Sequence, residues 1–89
     1  MSDLGMYVVM HGVNASHIGH NAEIIYGYYN ALEQFKKLEH SRNCLDQAVK
    51  VICFAKLEFN DEGKCCGRTV KQSRGLTVEQ EQMIQEMTL

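Results

Sequence analysis

The sequence predicts a mainly α-helical protein: an antiparallel helical hairpin, a short C-terminal helix and an extended N-terminal arm. Three observations predict it. Segments 15–39 and 43–59 both carry apolar residues at helical spacing, and only the polar stretch His40-Ser41-Arg42-Asn43 separates them. Proline, the strongest helix breaker, is absent from all 89 residues. Thr77 and Gln80 stand at capping-box spacing ahead of a last amphipathic stretch.

Residues 4–12 form a short apolar run between glycines, with β-branched Val8 and Val9, and read as a strand or extended arm. A single strand must pair with a second copy, with a partner or with a later hairpin. Asn14 or Ser16 is placed to cap the next segment. There Ile18, Ala22, Ile25, Tyr28, Tyr29, Leu32 and Phe35 make one stripe, while Glu23, Tyr26, Asn30, Glu33 and Lys37 occupy the other side. A helix over 15–39 would be a rod of roughly 37 Å, too long for one partner helix to cover. The stripe Ile18, Ile25, Tyr28, Tyr29, Leu32 and Phe35 is therefore expected to form a homo-oligomer interface. Gly27, costly inside a helix, fits a close helix–helix approach in that interface.

Ser41 or Asn43 then caps a second helix carrying Leu45, Ala48, Val49, Ile52 and Phe59. An alternative is α+β, with a hairpin at 49–71. Val49, Val51, Cys53, Ala55, Leu57 and Phe59 alternate at period two, and Asn60-Asp61-Glu62-Gly63 is a plausible turn. The capped start and the poor strand formers Asp46, Gln47, Ala48 and Lys50 favour helix. The final helix begins at Thr77 and shows Leu76, Met83, Ile84 and Met87 on one side.

A chain of 89 residues with 45% hydrophobic and 22% charged residues is one small globular domain, short enough to profit from self-association. Net charge −2 argues against whole-protein attraction to nucleic acid or acidic membranes. No segment reaches the ~20 apolar residues of a membrane span, and the N-terminus lacks a basic leader, so the expected location is cytoplasmic. A reducing compartment keeps Cys44, Cys53, Cys65 and Cys66 as free thiols.

Candidate chemistry is sparse. His11, His17, His20, Cys65 and Cys66 lack the spacing of a zinc site, so no metal or other cofactor is expected. No motif joins Cys53 or Cys65 to a histidine, and the chain is read as no enzyme. Lys64, Arg68, Lys71 and Arg74 form a basic loop, 64–74, able to hold phosphates of a nucleotide or nucleic acid. Tyr26 is an exposed aromatic anchor, with Asn30, Glu33 and Lys37 beside it as partner-binding residues.

Ser41-Arg42 between the segments, Ala48-Val49 in the second and Phe54-Ala55 at its end resemble small phage-encoded helical proteins. Some of those oligomerise and sequester cyclic nucleotide signals. The resemblance implies an oligomer holding a phosphate-containing small ligand, and it assigns no role to any residue here. The reading the residues favour is a small non-enzymatic regulator or inhibitor that occupies a macromolecular partner, as a homo-oligomer.

Overall fold

A computed structural model describes residues 5–86, apart from the side chain of His20. Leu4 and Met87, assigned above to the arm and the last helix, lie outside the described residues. The chain runs β1 (Met6–Gly12), a 3-10 helix (Ala15–His20), β2 (Asn21–Tyr26), α1 (Tyr28–Asn43), β3 (Val51–Phe59), β4 (Cys65–Arg74) and α2 (Val78–Glu86). Within the described residues the strands form one antiparallel sheet in the order β2-β1-β3-β4. The fold is therefore α+β, not mainly α. The hairpin alternative is the arrangement present, and the helix expected over 43–59 is replaced by the end of α1, a turn-rich connection over 44–50 and the strand β3.

The reason lies in β3. Strand alternation sends Val51, Cys53, Ala55 and Leu57 to one face and Ile52 and Phe54 to the other, and all six are buried. A strand covered on both faces reads as a continuous apolar run, which periodicity alone cannot separate from a buried helix. One layer is made by Tyr7, Val9, Ile52 and Phe54 against Ala31 and Phe35 of α1. The other sets Val8, Met10, Cys53, Ala55 and Leu57 against Ile18 of the 3-10 helix and Ile84 of α2.

The long first helix is likewise divided among three elements. Asn14 accepts the N–H groups of Ser16 and His17 through Oδ1, at 3.0 and 3.1 Å, and so caps a 3-10 helix. Gly27, at φ +89°, turns the end of β2 into α1 and is not a helix–helix contact. The residues spaced like a single stripe thus sit on separate elements. In the other direction α1 runs straight through His40-Ser41-Arg42-Asn43, with His40 and Arg42 suited to its negative C-terminal end. It stops in a Schellman motif: Asp46 N–H donates to Ser41 O at 3.2 Å and Leu45 N–H to Arg42 O at 3.0 Å. Leu45 takes the left-handed position at φ +64°. Arg42 Nε then donates to Lys50 O at 2.8 Å, tying the helix end to the start of β3.

The phage-type pattern is dispersed by the same topology, since Ser41-Arg42 close a helix while Phe54-Ala55 lie in the sheet. At Asn60–Lys64, Asn60 Oδ1 accepts from Glu62 N–H and Lys64 N–H, and Gly63 takes φ +79°. The capping box is present: Gln80 N–H donates to Thr77 Oγ1 at 3.1 Å, and Thr77 N–H to Gln80 Oε1 at 2.9 Å.

Candidate binding surface

The corner between β2 and α1 is held tightly. Gly27 N–H donates to Gly5 O at 2.8 Å, and Asn30 Nδ2 donates to Tyr26 O at 2.9 Å across the first helical turn. Tyr28 packs edge-on to Tyr7 and tilted to Phe54, each with centroids 5.8 Å away. Tyr29 then meets Tyr28 edge-on at 5.6 Å. Tyr29 is the outermost ring of an aromatic series anchored in the core. It is 69% exposed and Tyr26 is 66% exposed. Along α1, Glu33 and Lys37 form an exposed ion pair at 3.6 Å.

The four residues expected to bind a partner, Tyr26, Asn30, Glu33 and Lys37, are all exposed; Asn30 is bonded to the Tyr26 backbone carbonyl, and Glu33 pairs with Lys37 further along α1. The six residues read as an oligomer stripe do not share a surface. Ile18 and Phe35 are buried on opposite faces of the sheet, and Ile25, Tyr28 and Leu32 pack partly against the α1-side core. Tyr29 alone of the six is exposed, three positions along the chain from the equally exposed Tyr26.

The basic residues are not on a loop. Lys64 closes the hairpin turn, and Arg68, Lys71 and Arg74 belong to β4. Arg74 pairs with Glu39 of α1, its guanidinium 6.0 Å from the Phe35 ring centroid. Arg68 faces the opposite side, paired in register with Leu57 and reaching across β3 so that Nη1 lies 3.9 Å from Met10 Sδ. Lys71 stands at the irregularity opposite the Phe54/Ala55 step, and Lys64 lies 3.9 Å from Glu62. The four cations are spread over two faces and a turn, and do not converge on one pocket.

Beneath α2, Cys53 is wholly buried. Burial first, then the Glu81 carboxylate, pushes its thiol from 9.0 up to about 12, against the opposing pull of Arg68. Near neutral pH this thiol is protonated and no nucleophile. Glu81 itself accepts the Ser73 hydroxyl. The thiol–imidazole contact that sequence reading missed is Cys44 Sγ to His40 Nε2, at 3.7 Å on the exposed last turn of α1. Their spacing of four residues within one helix was the available signal. All four cysteines are free thiols.

Among the described residues no group of three or more His, Cys, Asp or Glu side chains is placed to hold a metal ion. None of the described helices is long and apolar enough to cross a membrane. A groove of about 630 Å³ lies between the 3-10 helix and α2, lined chiefly by Ala15, Ile18, Gly19, Met83 and Ile84. Comparison with protein-family models, curated proteins and solved structures gave no match. Fold and surface define the class as a small α+β domain, its central strands β1 and β3 covered on both faces and exposed tyrosines at the corner between β2 and α1.

Proposed function

We propose that this protein is a non-enzymatic binding module: a small regulator or inhibitor that works by occupying a protein partner, and that does so as a homo-oligomer. The observation that carries the reading is the pair Tyr26 and Tyr29, two large rings held in the open on a corner whose backbone is fixed. Aromatic side chains lose little conformational entropy on contact and supply much of the energy at protein interfaces. Asn30, Glu33 and Lys37 provide the polar surroundings such an anchor uses.

The test is quantitative capture from the source cells on the immobilised wild-type chain and on folded variants. Tyr29→Ala is expected to reduce the specifically enriched partner by at least about tenfold, the effect of losing an aromatic hot spot. Lys71→Glu, on the distant edge of the sheet, is expected to leave it unchanged. Enrichment that survives Tyr29→Ala but disappears with Lys71→Glu would transfer the function to β4 and overturn the reading.

A further inference from the structure

The sheet has two outer strands, and they are defended very differently. β4 carries Arg68, Lys71 and Arg74, and its register with β3 shifts at Phe54/Ala55 and again at Glu58/Phe59. Cations and bulges are the usual means of keeping an edge from pairing with another chain. β2, Asn-Ala-Glu-Ile-Ile-Tyr, has none of these: no lysine, no proline, one charge, and an unbroken register with β1 from Met6↔Tyr26 to His11↔Asn21. Residues 21–24 are all exposed, Ile24 at 51%.

The direction of its hydrogen bonds is fixed as well. Gly27 N–H donates to Gly5 O, one step beyond the Met6↔Tyr26 pair. Antiparallel alternation from that bond turns Glu23 and Ile25 toward β1, and turns the N–H and C=O groups of Ala22, Ile24 and Tyr26 outward. The Tyr26 carbonyl accepts from Asn30 and retains a second lone pair.

We propose that β2 pairs antiparallel with β2 of a second copy of this chain, about a twofold axis at Ile24, making one continuous sheet. This rests on reading the protein as a self-associating binding module and names the surface that self-associates. The sequence of the strand is complementary to itself in that register. Ile24 meets Ile24, and the large Tyr26 lies beside the small Ala22 on both sides of the axis, as cross-strand packing favours. Glu23, the one charge, faces Ile25 and never its own copy. Sliding the copies by two residues one way sets Glu23 directly against Glu23, which repels. Sliding them two residues the other way loses both Ala22–Tyr26 pairs. A slip of one residue turns the outward-facing groups out of phase and exchanges the faces. The Ile24 register is the one that uses the whole strand.

Sedimentation equilibrium of the wild-type chain across micromolar to submillimolar concentrations tests this. The expected result is a species of twice the 10.1 kDa chain mass. Ile24→Lys sets two ammonium groups at the axis and is expected to weaken the dimer at least tenfold, with the far-UV spectrum unchanged because the side chain is half-exposed. With Cys44 and Cys66 replaced by serine, Ile24→Cys is expected to cross-link copies under mild oxidation. Opposed Cα atoms in that pair lie about 5.5 Å apart, within disulfide reach. Ala22→Cys is expected not to cross-link, its copies being more than about 13 Å apart. A wild-type monomer at every concentration overturns the proposal while leaving partner capture through Tyr29 to be judged by its own test. So does a dimer that Ile24→Lys leaves intact, or cross-linking at Ala22 in place of Ile24.

Discussion

Replacing Arg68 by methionine should make this protein more stable. Arg68 is 7% exposed, in register with Leu57 and on the same face as Met10 and Cys53. Its Nε is fully buried with no hydrogen-bond partner, and its polar contact is Nη1 to Met10 Sδ at 3.9 Å. The nearby carboxylate of Glu81 is engaged by the Ser73 hydroxyl. A buried donor left unsatisfied costs about 1–3 kcal/mol. Even buried ion pairs can be replaced by apolar side chains of similar volume with effects from neutral to a gain of about 1–4 kcal/mol. Methionine retains most of the aliphatic stem and removes the charge. Arg68→Met is therefore expected to add about 1–3 kcal/mol, each kcal/mol raising the melting temperature by about 4–8 °C in a domain of this size. Urea unfolding followed by circular dichroism at fixed protein concentration measures it, as a higher midpoint with an unchanged slope. A loss of more than about 1 kcal/mol at unchanged slope would refute the reasoning. It would mean that the guanidinium is a net stabiliser of the α2-side core.

Two further outcomes follow from backbone and thiol. Leu45 is 80% exposed at φ +64°, where glycine ordinarily ends a helix. Leu45→Gly is expected to stabilise by about 0.5–1 kcal/mol, since relief of the left-handed penalty exceeds glycine's extra unfolded-state entropy; Leu45→Ala, strained in the same way, should show no gain in the same urea titration. For Cys53 the folded-state thiol titrates near 12 and the unfolded one near 9.0. Between these values the unfolded chain has released a proton that the folded chain keeps. Stability from this group is thus complete below pH 9 and falls as pH rises to 12, by about 1.4 kcal/mol per unit. Measured side by side across that range, wild type should lose stability more steeply than Cys53→Ala by that amount.

What was legible in the sequence were features that a few adjacent residues settle. Thr77 and Gln80 specify their cap whatever packs above it, and Asn60 through Gly63 specify a turn. The apolar run ending at Gly12 is a strand by its composition alone. The fold class was not legible, because it rests on which residues are covered from both sides. Val51 through Ala55 are apolar without interruption since β3 lies between α1 and α2, and a sequence does not state how many layers a strand separates. The boundaries of α1 were hidden for a related reason. Gly27 begins it where glycine suggested an interior contact, and Leu45 ends it where glycine was the expected signal. At the surface, Tyr26 was identifiable from its polar neighbours. Tyr29 was not, because its exposure depends on Tyr28 filling the space over Phe54.

The strand order also sets a sequence of events in folding. The β1–β2 and β3–β4 hairpins each close over a short stretch of chain and can assemble locally, in the microsecond range typical of hairpins. The seam that joins them pairs Tyr7 with Lys56, positions 49 residues apart, and encloses all of α1. Loop-closure entropy must be overcome there before any contact across the seam is gained. Docking of the two hairpins is thus the step expected to be slow, with α1 as its clasp through Phe35 against Phe54, centroids 5.4 Å apart.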